Sequence, residues 1–185
     1  MTKNFRLVPK ETGLMVIDVQ EKIFSLVERS QEVFLALKKA IQGCQIIHLP
    51  IVVTEQYPQG LGETVIGLKE ILGKDQRYLT KTTFSALGDT HISNEILEME
   101  QKTWILIGIE AHVCVLQTAM DLIRAGKQVI VLNDAISSRS IFDYSTAIAE
   151  MRDCGARISS VETVLFELIA DSKNPSFKAM SRLIK

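Results

Sequence analysis

The segment TWILIGIEAHVCVLQTAMDLIRAG, residues 103 to 126, contains the transition that decides the fold. Its first seven residues are almost continuously apolar, as expected for a strand that is buried on both faces. From residue 115 onward, apolar residues recur at intervals of three and four, which predicts an amphipathic helix. Gly126 follows the last periodic residue, at a position where helices favour a residue that tolerates positive φ. The segment therefore predicts one strand and one covering helix of a parallel sheet.

The same alternation continues along the chain and predicts an α/β fold. The predicted strands cover residues 13–19, 50–56, 76–81, 103–109, 128–135 and 156–162. The predicted helices cover residues 33–49, 91–100, 115–126, 144–155 and 176–185. A chain of 185 residues without repeats or linkers is expected to form one domain, residues 1–185.

Composition excludes several classes of function. A formal charge of −1 without a dense block of Lys and Arg does not indicate binding to nucleic acid or to an anionic membrane. No apolar run reaches the roughly 18 residues of a membrane span. The first 13 residues lack the apolar core of a secretory signal, so a cytoplasmic location is expected, with mitochondria and nucleus left open. Three widely spaced cysteines indicate free thiols.

Polar residues at the carboxyl ends of parallel strands carry the most functional weight, because ligands bind at that edge of open sheets. Asp18 ends the first predicted strand, where it is either a helix N-cap or a functional carboxylate. Lys81 ends the third strand, where it is either a solvated strand end or a partner of Asp18. Cys114 follows the fourth strand, where it is either a small core residue or a nucleophile.

The functional interpretation of Cys114 depends on its surroundings. The start of a helix stabilises negative charge, and a nearby lysine favours a thiolate, while a carboxylate can accept the proton. If Lys81 faces Asp18, the pair therefore could hold Cys114 as a thiolate. Cys44 lies within the apolar periodicity of its helix and Cys154 at a helix end, so both are interpreted as structural.

Four motifs in this order resemble those of the isochorismatase-like cysteine hydrolases, over nearly the whole chain. They are IDVQ at residues 17–20, KTTFSAL at 81–87, GIEAHVCV at 108–115 and NDAISSR at 133–139. The TEQYPQGLG segment together with GIEAHVC is most similar to the isochorismatase-domain-containing branch. The resemblance implies a three-layer, doubly wound, mainly parallel six-stranded sheet of order 3-2-1-4-5-6, with helices on both faces.

The resemblance also implies the roles of individual residues. Asp18, Lys81 and Cys114 would form the catalytic triad. The peptide bond between Ile109 and Glu110 would be cis, and the backbone N–H groups of Glu110 and Cys114 would form the oxyanion hole.

The sequence departs from the family where nicotinamidases hold a metal. Those enzymes carry an Asp-x-His pair and a further His after the second strand, and this chain has TEQYPQGLGE there. We therefore expect neither a metal site nor a cofactor.

Candidates for substrate contacts follow the strand ends or lie within the matching motifs. A solvated loop is the alternative for the residues after the second strand, and His112 is weighed as a general base against a role in the pocket wall. The candidates are Gln20, Phe24, Glu55, Tyr57, Phe84, His112 and Val113.

These observations predict a cysteine-dependent hydrolase that acts on a small amide or related carbonyl compound through a thioester intermediate. The expected partners are a small-molecule substrate and further copies of the chain in a homo-oligomer. The alternative is a protein on the same fold that binds a partner without catalysis or senses oxidants through its thiol.

Overall fold

The computed structural model describes residues 5–185, in which six parallel strands form one sheet of order β3-β2-β1-β4-β5-β6. The strands are β1 (Thr12–Ile17), β2 (Ile51–Gln56), β3 (Tyr78–Lys81), β4 (Thr103–Ile109), β5 (Gln128–Ser137) and β6 (Arg157–Ser159). The predicted fold class and strand order are confirmed. Every residue of β1 and β4 is buried, which explains their continuous apolar sequences.

Helices cover both faces of the sheet. They are α1 (Glu21–Phe24), α2 (Ser30–Ile46), α3 (Pro58–Leu61), α4 (Ile66–Leu72), α5 (Thr90–Glu98), α6 (Leu116–Arg124), α7 (Ile141–Asp153), α8 (Val161–Ile169) and α9 (Phe177–Ile184). Alternate residues of β1 enter different cores: Leu14 and Val16 pack in the core that includes α2 and α8, while Met15 and Ile17 pack in the core that includes α6 and α7. Because successive side chains of a strand point to opposite faces of the sheet, β1 contributes to the cores on both faces.

Four strand predictions missed one end by two residues or more. The first strand stops at Ile17 rather than at residue 19, and the third begins at Tyr78 rather than at residue 76. The sixth strand stops at Ser159, and the residues that follow form α8, which the sequence did not predict. The apolar stretch VETVLFELI packs against α2 on one face of the sheet. Because most of its residues are apolar, the sequence lacks the alternation of apolar and polar residues that would have predicted a helix. The fifth strand, in contrast, extends to Ser137, because an irregularity between its pairings with Leu106 and Gly108 absorbs extra residues.

Gly108 fixes the separation of the two central strands. It pairs with Ile17, the residue before Asp18, and has φ of +123°. A Cβ atom at this position would lie 2.1 Å from the backbone oxygen of Ile17. Only glycine therefore allows β4 to approach β1 at the point where Asp18 leaves the sheet.

We predict that Gly108→Ala destabilises the protein by about 3 kcal/mol or more, because backbone strain and a backbone clash add together. Gly126→Ala is the matched control: its φ is +82°, but no atom lies within 4 Å of the new Cβ. That control should cost only about 1–2 kcal/mol. Urea denaturation of both variants measures the difference, and equal losses of stability would contradict the close approach.

Candidate active site

At Asp18, directly after β1, the backbone changes from an extended to a left-handed conformation. The strand ends at Ile17, and Asp18 adopts the left-handed conformation with φ of +52° while its backbone N–H donates to the carbonyl oxygen of Thr54 at 3.1 Å. Aspartate tolerates this conformation better than most residues. The result is a fully buried carboxylate at the carboxyl edge of the sheet.

The carboxylate of Asp18 is bound on both oxygens. Its Oδ1 accepts a hydrogen bond from Thr54 Oγ1 at 2.7 Å, and its Oδ2 lies 2.5 Å from Lys81 Nζ. The N-cap alternative for Asp18 is wrong. The residue that precedes α1 is Gln20, and the carboxylate of Asp18 is paired with Lys81.

Lys81 reaches Asp18 from the end of β3 and is not a solvated strand end. The side chains of both residues are completely buried. Its ammonium also donates to Gln56 Oε1 at 2.8 Å and lies within hydrogen-bond distance of the carbonyl oxygens of Phe84 at 3.0 Å and Thr83 at 3.2 Å. The buried charge is thereby surrounded by acceptors, as burial of an ammonium requires.

Cys114 lies in a tight turn between β4 and α6. The turn, Ala111–Val115, has π-helical geometry, and the carbonyl oxygen of Glu110 accepts the N–H groups of Val113 and Val115 at 3.1 and 3.2 Å. The peptide bond between Ile109 and Glu110 is cis. The cysteine therefore precedes the regular helix, which begins at Leu116, and it is 7% exposed.

The surroundings of Cys114 oppose a resting thiolate. Burial of the thiol and, next, the negative charge of Asp18 raise the pKa of Cys114 well above its ordinary value, and the Lys81 ammonium opposes this shift only in part. These surroundings favour the thiol over the thiolate. Because Lys81 is itself paired with Asp18, the pair offers the sulfur a proton acceptor rather than a net positive charge.

A cavity of about 230 Å³ connects the thiol and the carboxylate to the surface. It is lined mainly by apolar side chains, and polar groups lie among them. Its lining residues are Asp18, Ile23, Leu26, Gln56, Leu61, Phe84, Glu110, Val113, Cys114 and Arg139. A largely apolar pocket with a few convergent polar groups is the usual form of a site for a small molecule.

Of the seven candidates for substrate contacts, Phe84 and Val113 line this cavity. Gln20 is fully buried and instead binds the backbone of Gln56 and Gly62. Glu55 is also buried, and its Oε1 accepts hydrogen bonds from the backbone N–H and the hydroxyl of Thr64 at 2.6 and 2.8 Å. The structure assigns both residues to holding the loop after β2.

The remaining three candidates also lie outside the cavity lining. Phe24 belongs to the core on the α2 side, where it contacts Phe34, and Tyr57 is an exposed residue that begins α3. His112 Nδ1 lies 2.9 Å from Ser138 Oγ, and its Nε2 lies 3.9 Å from Asp143 Oδ2. These contacts connect the turn Ala111–Val115 to the residue after β5 and to α7, and they do not indicate a Cys–His dyad.

Sequence reasoning missed two polar residues of the cavity. Gln56 accepts a hydrogen bond from Lys81. The alternation of side chains along β2 could have predicted this contact, because Thr54 and Gln56 lie on the side of the strand that faces the site while Glu55 faces away. Arg139 lies two residues beyond the true end of β5, but the strand was predicted to end at residue 135.

Within residues 5–185, no group of three or more His, Cys, Asp or Glu side chains is arranged to hold a metal ion. In the same range, no helix has the length and apolar character needed to cross a bilayer.

Comparison with known proteins identifies the family. The family model for the isochorismatase domain matches residues 12–163. The chain belongs to the isochorismatase family. This match includes the strand ends that carry Asp18, Lys81 and Cys114, and it is consistent with a hydrolase fold.

Relatives of similar length support the assignment. The secreted isochorismatase effector Isc1 of Phytophthora sojae (strain P6497) is 37% identical, over 97% of this chain and 87% of that protein. Isochorismatase domain-containing protein 2 of Homo sapiens is 36% identical, over 97% of this chain and 86% of that protein. The structure of MAR1 ribonuclease from Caenorhabditis elegans is 39% identical with a TM-score of 0.91, over 97% of this chain and 92% of that chain. The resemblance to the isochorismatase-domain-containing branch is thereby confirmed.

We predict that Asp18→Asn lowers the pKa of Cys114, because the substitution removes the negative charge that helps to raise it while Lys81 remains. In the wild-type protein, alkylation of Cys114 should be slow at neutral pH and should accelerate up to strongly alkaline pH. In the variant, the midpoint of this acceleration should move to lower pH. Iodoacetamide labelling across a pH series, read by peptide mass spectrometry with Cys154 as the internal reference, measures the shift; an unchanged or higher midpoint would contradict the assignment.

Proposed function

We propose that this protein is a cysteine-dependent hydrolase that acts on a small amide or related carbonyl compound. One observation carries the proposal: Asp18, which is fully buried and paired with Lys81, lines the same cavity as the thiol of Cys114. A nucleophile within reach of a base that is itself oriented by a third group is the arrangement that covalent catalysis requires.

In the first step, Asp18 accepts the thiol proton as the sulfur attacks the carbonyl carbon. The S–C bond forms, and the electron pair of the carbonyl bond moves to its oxygen. The backbone N–H groups of Glu110 and Cys114 hold this oxyanion, at about 3 kcal/mol per donor. Because burial raises the pKa of Cys114, the thiol needs a base such as Asp18 to take its proton.

In the next step, the oxyanion collapses and the C–N bond breaks. Asp18 returns the proton to the leaving nitrogen, so an amine or ammonia departs and a thioester remains on Cys114. A water molecule then gives a proton to Asp18 and attacks the thioester. The acid leaves as the sulfur regains its proton, and Lys81 keeps the carboxylate in place throughout.

The name of the nematode relative raises RNA as a second substrate class. Binding an RNA strand requires several cations that follow its phosphates. Among residues 5–185, Arg139 is the one cation in the cavity lining, and its Nε already contacts Glu110. The whole chain has a formal charge of −1. These features favour a small molecule over RNA.

A thiol sensor of oxidants is also disfavoured. Sensor cysteines are exposed and have a low pKa, because the thiolate is the species that oxidants attack. Cys114 is 7% exposed and its pKa is raised. A buried thiol that needs a base fits a reaction with a bound substrate.

We predict that the wild-type protein releases ammonia from members of a panel of small primary amides, and that Cys114→Ala loses on the order of 1,000-fold or more of this activity. Asp18→Asn should lose activity to a similar extent, since it removes the base. Cys154→Ala, which lies at the end of α7, is the matched control and should retain full activity. Circular dichroism checks that each variant is folded, and undiminished turnover by Cys114→Ala would overturn the proposal. Cleavage of an RNA oligomer in place of the amides would instead favour the ribonuclease alternative.

A further inference from the structure

Arg139 occupies a position in the cavity wall that the proposed chemistry does not use. Its side chain is 61% exposed and lies beside Glu110, whose side chain is 13% exposed. Oε1 of Glu110 accepts the backbone N–H of Arg139 at 3.1 Å and its Nε–H at 3.0 Å. Glu110, which directly precedes the turn Ala111–Val115, thus fixes both the backbone of Arg139 and the Nε atom of its guanidinium.

The contact with Glu110 leaves the other edge of the guanidinium open. A guanidinium group carries five N–H donors in a planar fork, and Glu110 occupies only the one on Nε. Within residues 5–185, neither terminal amino group of Arg139 makes a hydrogen bond. Two parallel donors on an oriented plane match the two oxygens of a carboxylate.

The other charges of the site do not compete for this edge. Asp18 is engaged by Lys81 and Thr54, and both residues of that ion pair lie at the closed end of the site. Glu110 contacts the guanidinium of Arg139 through Nε, so it orients the group and makes no hydrogen bond to its terminal amino groups. The open donors are therefore available to an anionic group of a bound molecule.

The remaining lining limits the size and character of that molecule. The cavity volume of about 230 Å³ suits a small molecule rather than a polymer. Its other walls include the apolar side chains of Ile23, Leu61, Phe84 and Val113. A short hydrocarbon segment would pack against these apolar side chains, and a polar group at each of its ends would contact Cys114 and Arg139.

We propose that the substrate is a small acid amide: a carboxamide joined by a short apolar spacer to a carboxylate that Arg139 binds through its terminal amino groups. This inference rests on the proposed hydrolase function, because the amide end is the group that Cys114 attacks. Arg139 determines specificity and takes no part in bond breaking.

The first test compares two probes that differ in the terminal group alone. Succinamate carries a carboxylate, and succinamide is its neutral counterpart of equal size. The wild-type kcat/KM should be about 10- to 100-fold higher for succinamate, as expected for charge-assisted hydrogen bonds. In Arg139→Met the ratio should fall close to 1. Arg124→Met removes an exposed arginine that also pairs with a carboxylate, on α6, and should leave the ratio unchanged. A wild-type ratio near 1 would overturn the inference.

A second test does not depend on turnover. Succinate should slow the alkylation of Cys114 at alkaline pH in the wild-type protein, and the concentration needed should rise at least about tenfold in Arg139→Met. Protection without hydrolysis of either amide would support the carboxylate site and contradict the hydrolase function. Hydrolysis of both amides at equal rates without protection by succinate would support the hydrolase function and contradict the carboxylate site.

Discussion

The buried contact between Asp18 and Lys81 is the interaction on which the site depends. Neither side chain reaches solvent, and removing two charges from water costs several kcal/mol per ion unless other groups replace the water. Thr54 replaces it for the carboxylate, and Gln56 with two backbone carbonyls replaces it for the ammonium. The pair and these partners come from the ends of β1, β2 and β3 and from the loop after β3, so the contact requires the register of these three strands.

That requirement explains several local features that look independent in the sequence. Gly108 lets β4 approach β1 at the residue before Asp18, and Asp18 leaves its strand in a left-handed conformation. Gln20 fixes the backbone of Gln56, whose side chain in turn holds Lys81. Cys114 completes the arrangement from the turn after β4. The pair is neutral as a whole and does not favour a thiolate on Cys114, which suits the proposed reaction, in which Asp18 takes the thiol proton only as the sulfur attacks.

The sequence predicted those parts of the structure that depend on periodicity and on strand order. Buried strands read as apolar runs, and the rule that sites lie at strand ends selected Asp18, Lys81 and Cys114 together. It did not distinguish polar residues that serve the substrate from those that hold loops. The side chains of Glu55 and Gln20 have the polar groups that could bind a substrate. Those groups instead form hydrogen bonds within the protein, Glu55 to Thr64 and Gln20 to the backbone of Gln56. Arg139 was not predicted as a site residue, because an irregular pairing in β5 moves the end of that strand by two residues. The pKa of Cys114 depends on burial and on distances that no pattern contains.

The most direct test of the account is to trap the covalent intermediate on Cys114. The wild-type protein is mixed with succinamate, quenched with acid within the first turnovers and digested, and the peptide that contains Cys114 is examined by mass spectrometry. We expect a succinyl adduct on the sulfur that hydroxylamine removes, as it does a thioester, and that Cys154 does not carry. Rapid release of ammonia with the Cys114 peptide unmodified at every quench time, together with undiminished turnover after Cys114 has been alkylated, would contradict it.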